Sequence, residues 1–417
     1  MIVDFFGRTP FFNEATVSKT NEQTPANSAD ETTLNPNSHQ GMEARVRQAV
    51  ARLFSPEIAK VAELENLGGH ASLRIYWRVT LPATDPDTGQ LLDPARGEFT
   101  RMAMVLPMSG DPFASDEGTS EGDAAITELP FINMQRYLRK IDLPVGDIDR
   151  VDMDLGVLLL EDLGQQTFED RILAVGGDED AFMGLYREAI DLLIDFQLAV
   201  LNSAGDRALT EDCIGFGRKF DRGLLRWELD HYLEWGLDAR LSGDEAARVD
   251  ARRADLSAAF DTIVDALLAA PQTLVLRDYQ SRNLMYKDGW QLIDFQDALM
   301  GSCVYDLVAL LRDSYIELRG DQVDALLGYY IAQGARAELP WCADEDAVVS
   351  TFHLQTVQRK LKDAGRFINI DRVKGDPSFL PYYDASIRYV FEALSKCSVG
   401  EELSEILADI EPSWPRG

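Results

Sequence analysis

Three side chains within Thr273 to Asp313 (TLVLRDYQSRNLMYKDGWQLIDFQDALMGSCVYDLVALLRD) are of types and spacing that could do chemistry: Asp278, Asn283 and Asp294. Lys287-Asp288-Gly289-Trp290 lies between two apolar runs, and Asp-Gly in that setting is a strong hairpin signal because both central residues favour φ > 0. Leu284–Lys287 and Trp290–Asp294 are therefore expected to pair as antiparallel strands. With Asp288-Gly289 as a two-residue turn, Lys287 meets Trp290, Met285 meets Leu292, Leu284 meets Ile293 and Asn283 meets Asp294. Directly opposite residues have Cβ atoms about 4.5 to 5.5 Å apart, a gap that one hard cation with oxygen ligands at about 2.0 to 2.1 Å can bridge. The expected cation is Mg2+. Asp278, in the loop entering the first strand, is left near the metal and free to act as a base. A lone carboxylate on such a strand reads as a surface group; the three together read as a site.

A base, an Asn five residues on and an I-D-F strand end form the catalytic arrangement of kinase-like phosphotransferases, in which magnesium offsets the phosphoryl charge and the carboxylate takes the acceptor's proton. The stretch resembles the aminoglycoside phosphotransferase and choline kinase superfamily, and within it the bacterial anomeric kinases of N-acetylmuramate and N-acetylglucosamine. The resemblance rests on LLLEDLGQQTF (158–168), RDYQSRNLM (277–285), IDFQDALMG (293–301) with VYDL (304–307), and VQRKLKDAGRF (357–367), in the family's order over roughly residues 45 to 400. It implies a bilobal α+β, protein-kinase-like fold: a small β-rich N-terminal lobe at 42–160 and a larger mostly helical lobe at 161–417, after a tail at 1–41 that is expected to be disordered from the polar composition of residues 13 to 41. It also implies ATP and Mg2+ as cofactors, Asp278 as catalytic base, Asn283 and Asp294 as magnesium ligands, and Asp306 as a brace for the catalytic loop. The sequence departs from the family at Leu276, where His is usual, and at Ser302, where Pro is usual. The strand RMAMVL (101–106) lacks the lysine that many kinases place there; the sugar kinases share that lack.

The elements that must position these groups follow along the chain. A helix is expected from Met42 to Phe54. Gly68-Gly69 opens a turn before a strand in which Arg74, Tyr76 and Arg78 alternate with apolar neighbours; alone this is an ordinary hairpin, and ahead of a catalytic stretch it is a cover for nucleotide phosphates. Gly68, Gly69, Ser72 and Arg74 are thus candidate nucleotide contacts. A helix from Ile126 to Lys140 is expected to pack on the small sheet, its Glu128 either the lobe's buried acid or a solvated first-turn residue. The buried run GVLLL (156–160) ends at Glu161-Asp162-Leu163-Gly164, an acidic turn suited to an interlobe hinge, so Glu161, Asp162 and Leu163 are candidate adenine contacts through main chain. Ala181 to Leu201 has a helical apolar stripe. In Phe220 to Leu241, Trp227, Tyr232 and Trp235 interleave with Glu228, Asp230 and Glu234; aromatics with acids grip a sugar, and also mark any amphipathic helix. Glu228 and Glu234 are candidate substrate residues. Further helices are expected at Gln322–Gln333, Glu345–Phe367 and Asp384–Leu407. On the second of these, Arg359, Lys362 and Arg366 share one face, either as a solvated basic stripe or, with Arg359 foremost, as ligands for an acidic sugar.

Composition narrows the functions. At 417 residues with 46% hydrophobic content, the chain can fill two lobes. Its net charge of −31 repels nucleic acid and anionic membranes, so neither is an expected partner. Cys213, Cys303, Cys342 and Cys397 form no C-x-x-C pair and the four histidines are scattered, against a zinc site or disulfide framework. No apolar run reaches eighteen residues and MIVDFFGRTPFF lacks a basic n-region; a cytoplasmic protein is expected. Eleven residues separate Asp294 from Asp306, too few for a protein kinase's activation segment. A small-molecule kinase for an amino sugar is the leading reading. An aminoglycoside or choline kinase and a catalytically silent nucleotide-binding protein remain open, as does the oligomeric state.

Overall fold

The computed structural model describes residues 35–68, 74–82, 98–108, 128–397 and 400–415. The chain divides into two compact units, Met1–Glu117 with Asp147–Asp162, and Gly118–Gly146 with Leu163–Gly417.

In the first unit, helices α1 (His39–Leu53) and α2 (Pro56–Val61) precede strands β1 (Glu63–Gly68), β2 (Ile75–Pro82), β3 (Glu98–Val105), β4 (Ile148–Asp152) and β5 (Val157–Glu161). The strands form one antiparallel sheet in the order β1-β2-β3-β5-β4. Alternation along β2 sends Trp77, Val79 and Leu81 into the core. Val46, Ala49 and Val50 of α1 cover the same core. Buried Arg45 fixes α1 to the sheet by donating to the carbonyls of Leu155 (2.8 Å), Leu106 (2.7 Å) and Gly156 (3.3 Å). Burial lowers the pKa of its guanidinium.

The second unit contains α3 (Pro130–Lys140), α4 (Phe168–Ala174), α5 (Glu179–Ser203), α6 (Arg207–Glu211), α7 (Ile214–Gly217), α8 (Arg222–His231), α9 (Asp244–Ala269), α10 (Tyr305–Leu311), α11 (Gly320–Arg336), α12 (Glu345–Asn369), α13 (Pro381–Leu394) and α14 (Glu401–Ile410). Two small antiparallel pairs sit among them, β6 (Gln272–Val275) with β9 (Leu299–Ser302), and β7 (Leu284–Tyr286) with β8 (Trp290–Leu292).

Two expectations change here. The apolar face of helix α3 enters the core of the second unit through Met134, Tyr137 and Leu138, and Asn133 donates to the carbonyl of Asp212 at 2.8 Å. Glu128 is a partly exposed ion-pair partner of Arg136 at 2.6 Å, in keeping with the solvated of its two readings. The expected helix from Asp384 to Leu407 is two helices, α13 and α14.

Candidate functional site

The hairpin forms, one residue out of the expected register. Leu284 pairs with Leu292, Met285 with Gln291 and Tyr286 with Trp290, so the loop holds three residues, Lys287 to Gly289. The amide of Lys287 donates to the carbonyl of Gly289 (2.9 Å), and Asp288 (φ 55°) and Gly289 (φ 138°) take the positive φ values that Asp-Gly supplies cheaply. Asn283 then faces Ile293, whose amide donates to the Asn283 carbonyl at 3.1 Å. Asp294 still reaches Asn283 because its own backbone turns left-handed (φ 61°) immediately after the strand. The Asn283 Nδ2 donates to Asp294 Oδ2 at 3.3 Å and to the carbonyl of Asp278 at 3.0 Å. The three candidates are thus brought together, the last pair by a backbone turn instead of by strand register.

The loop carrying Asp278 is held at several points. Asp306, at the first turn of α10, accepts the amides of Leu276 (2.8 Å) and Arg277 (3.0 Å). Burial pushes its carboxyl up to about 7, against the pull of those two amides and of Arg359. Arg277 has φ 72°, a conformation a non-glycine residue adopts only when its surroundings impose it. Asp313 accepts the amide of Ser281 at 2.8 Å, and Tyr279 donates its hydroxyl to the carbonyl of Ala189 at 2.7 Å. Leu276 packs in the core, a purely apolar anchor in place of an imidazole.

Arg359 and Glu228 belong to this bracing. The Arg359 Nη1 donates to the Arg277 carbonyl at 2.8 Å, and its Nη2 lies 3.5 Å from Asp278 Oδ1. Glu228 is fully buried; it accepts from Arg277 Nη2 at 3.1 Å and from Gln358 Nε2 at 2.6 Å, with Lys362 Nζ 3.9 Å away. Glu228, the candidate substrate acid, is wholly buried among these partners, and Arg359 is a buried contact of the base and its loop. The basic face of α12 is not solvated: Arg359, Lys362 and Arg366 are all buried. Glu234 is exposed, on a π-helical turn (Tyr232–Asp238) that continues α8.

Among the nucleotide candidates, Gly68 ends β1 with φ 80°, its amide held by Asn66 Oδ1 at 2.7 Å; Gly69 and Ser72 lie outside the described residues. Arg74, just before β2, is half-buried. The amide of Glu161 donates to the carbonyl of Asp147 at 2.8 Å. Asp162 accepts from Arg78 Nε at 2.8 Å, both side chains largely buried. Leu163 is buried against Gly146, and Gly164 (φ 83°) turns the chain.

The donor set can be tested against magnesium. The Asn283 Oδ1 is buried and has no hydrogen-bond partner, which costs free energy unless something else meets it. Beside it, Asp294 accepts from Asn283 Nδ2 and, through Oδ1, from Gln296 Nε2 at 2.8 Å; a carboxylate has lone pairs beyond these two. Among the described residues no group of three or more His, Cys, Asp or Glu side chains could hold a metal. Two protein oxygens with the remainder from water and phosphate is the pattern magnesium takes in phosphoryl-transfer sites, so the residues fit it. Sequence reasoning did not reach Gln296 or Asp313, whose roles depend on contacts with no local motif.

No helix among the described residues is long and apolar enough to cross a membrane. The profile of the phosphotransferase enzyme family (APH) matches residues 121–342. The N-acetylmuramate/N-acetylglucosamine kinase of Pseudomonas putida is 32% identical over 283 residues, 68% of this chain and 78% of that one. An ethanolamine kinase of Plasmodium vivax superposes with TM-score 0.55 at 13% identity, over 88% of this chain and 92% of that one. An aminoglycoside 2'-phosphotransferase-IIIa, solved as its GDP complex, superposes with TM-score 0.51 at 15% identity, over 84% and 98%. These two likenesses show the protein-kinase-like fold. The chain belongs to the phosphotransferase enzyme family and is an enzyme of that class, with a nucleotide as its phosphoryl donor.

Proposed function

We propose that this protein is an ATP- and magnesium-dependent sugar kinase that phosphorylates the anomeric hydroxyl of N-acetylmuramate or N-acetylglucosamine, a step that serves peptidoglycan recycling in the cytoplasm, where ATP is available. The observation that carries the reading is the P. putida sugar kinase's likeness over more than two thirds of the chain, together with the joining of Asp278, Asn283 and Asp294 at one site.

In this mechanism Asp278 orients the acceptor hydroxyl and takes its proton as the oxygen–phosphorus bond forms and the bond from the γ-phosphorus to the ADP oxygen breaks. Asn283 and Asp294 would hold magnesium, which when bound neutralises charge on the phosphates. Gln296 keeps the Asp294 carboxylate turned toward Asn283. Arg359 holds the base, and Asp306 holds the loop beneath it. The turn at Gly68 and the segment Glu161–Leu163 serve the nucleotide; with the Glu161 amide engaged by Asp147, adenine recognition falls to the main chain of Asp162 and Leu163.

The test is purified protein with ATP and magnesium against N-acetylmuramate, N-acetylglucosamine, aminoglycosides and choline, read by phosphorus NMR. An anomeric sugar phosphate is expected. A sugar 6-phosphate, or turnover of only an aminoglycoside or choline, overturns the assignment.

A further inference from the structure

Two sets of contacts hold the loop from Leu276 to Asn283, and they grip its opposite ends. At the first end Asp306 takes the amides of Leu276 and Arg277, while Arg359 reaches the Arg277 carbonyl and the Asp278 carboxylate. That set serves the base. At the other end stands Asp313, two residues past the end of α10, so that one short helix brings a carboxylate to each end of the loop. Asp313 is buried; its Oδ2 accepts the Ser281 amide at 2.8 Å and its Oδ1 the Tyr315 amide at 2.9 Å.

The segment leading into α4 closes on the same end. The Tyr286 amide donates to the Gln166 carbonyl at 2.8 Å, Thr167 bridges Met285, and the Glu169 amide donates to the Ser281 carbonyl at 3.1 Å. Ser281 is thus held through both its amide and its carbonyl. Arg282, the next residue, meets Glu169 as a fork, Nε donating to Oε2 at 2.6 Å and Nη2 to Oε1 at 3.0 Å. Its guanidinium also lies 3.6 Å from the centroid of the Tyr315 ring. A fully exposed ion pair would contribute little; here the two side chains are 18% and 20% exposed, and a two-point contact fixes direction as well as distance. The turn that supplies Glu169 is itself pinned, because Thr167 and Asp170 cap α4 reciprocally. Asn283 follows Arg282 directly, with its amide on the Gln280 carbonyl at 2.9 Å.

We propose that Glu169 and Arg282 are positioning residues for Asn283, aiming its Oδ1 and so setting metal affinity, separately from Arg359 and Asp306, which position the base. The proposal rests on the assignment of magnesium to Asn283 and Asp294 above. Neither residue touches the reacting atoms. The Asn283 side chain is already tied to the Asp278 carbonyl and to Asp294, so its Oδ1 is redirected chiefly by movement of the backbone at Ser281 and Arg282, and the Glu169 fork opposes that movement. Groups bonded directly to a metal ligand are worth about 10- to 100-fold in metal affinity. Glu169 and Arg282 act through one further peptide, and a smaller effect follows.

The experiment uses Mn2+ in place of Mg2+ on the full-length protein without nucleotide, reading free ion by its EPR signal. Wild type is compared with Glu169→Gln, Arg282→Gln, Arg282→Lys, the Glu169→Gln/Arg282→Gln double variant, Arg359→Met and Asn283→Ala, with thermal melts to verify folding. Asn283→Ala defines the site-specific part of the binding, which matters in a chain of net charge −31. The Mn2+ dissociation constant should rise by roughly 3- to 10-fold in Glu169→Gln and in Arg282→Gln, with partial recovery in Arg282→Lys. The double variant should be no worse than either single, because the two side chains act as a unit, and Arg359→Met should stay close to wild type. The Mg2+ concentration for half-maximal turnover should move in the same order. Wild-type Mn2+ affinity in folded Glu169 and Arg282 variants, with Asn283→Ala weakened, would overturn the positioning alone and leave the pair a stabiliser of α4. An equal loss in Arg359→Met would overturn it too, by making the bracing one undivided network. Wild-type affinity in Asn283→Ala would defeat the metal assignment and the proposal with it. The expected Mn2+ pattern in a protein that phosphorylates none of the acceptors named above would uphold the positioning and defeat the sugar-kinase reading.

Discussion

Asn283→Asp tests the metal site without relying on turnover. In the wild-type protein Asn283 donates to Asp294 Oδ2 at 3.3 Å and to the Asp278 carbonyl at 3.0 Å, both side chains in a largely buried setting. An aspartate of the same shape removes both donors and sets two carboxylates against each other. Coulomb's law gives about 5 kcal/mol for unit charges 3.3 Å apart at an effective dielectric constant of 20, and about 1 kcal/mol in water. Small side-chain movements relieve part of the repulsion, so a loss of about 2 to 4 kcal/mol in the metal-free protein is expected. At about 2 to 4 °C per kcal/mol for a unit of this size, the melting temperature should fall by roughly 5 to 15 °C. Magnesium between the carboxylates reverses the sign of the interaction. Millimolar magnesium should therefore raise the variant's melting temperature by more than it raises the wild type's, with calcium or manganese as a check on the ion. Scanning fluorimetry across a magnesium titration, without nucleotide, reads both numbers. A variant as stable as wild type without metal, or one that magnesium does not rescue, would refute the placement of the cation between these two side chains.

Asp278→Asn should lower kcat by roughly 10²- to 10⁴-fold with nucleotide affinity by calorimetry close to wild type; a variant retaining most of its rate would remove Asp278 as the base. Arg359→Met should lower kcat by about 10- to 100-fold, from the loss of a charge-assisted hydrogen bond worth about 1.5 to 3 kcal/mol, equally on both sugars and with partial recovery in Arg359→Lys. A selective loss on N-acetylmuramate would instead return Arg359 to the substrate. The Asp306 carboxyl, raised to about 7 by burial, contributes stability that is fully present below about pH 4 and lost as pH rises through about 7. Asparagine lacks that contribution, so the stability difference between wild type and Asp306→Asn, from urea midpoints, should shift against the wild type between pH 5 and pH 8; parallel curves would show that the carboxyl does not titrate in this range.

What the sequence made legible was local. Asp-Gly announces a hairpin, but two- and three-residue loops share that signal, and the difference of one residue would have faced Asn283 and Asp294 apart had Asp294 not turned left-handed. That turn has no signature in a non-glycine residue. The helical period of α12 correctly groups Arg359, Lys362 and Arg366 on one side, yet the period says nothing of what covers them. Their partners lie far away in the chain, Lys362 beside Glu228 more than 130 residues earlier and Arg359 on the Arg277 carbonyl, and charge in a helical repeat reads as solvent-facing until its partner is known. Helix α9 opens with a half of small and charged side chains and no side-chain cap, and its apolar stripe, Leu256, Phe260, Ile263, Val264 and Leu267, begins only at its middle. The α3 misplacement has a similar cause, since an amphipathic helix states that it has a buried face but not whose core receives it.

The polar interior of α12 constrains how the second unit can assemble. An apolar helix can slide a turn against its neighbours and still bury oil against oil. Gln358, Arg359, Lys360, Lys362 and Arg366 are all buried on one helix, and Gln358, Arg359 and Lys360 are tied to Glu228, the Arg277 carbonyl and the Ser314 hydroxyl; a slip of one turn would separate several of these contacts at once. Gly365 removes the remaining latitude by letting its backbone meet that of His231 and Tyr232 at a single point. Docking of α12 is thus closer to a key entering a lock than to a collapse, and the positively charged row and the bracing of Asp278 arrive in the same step: a partly docked enzyme has neither.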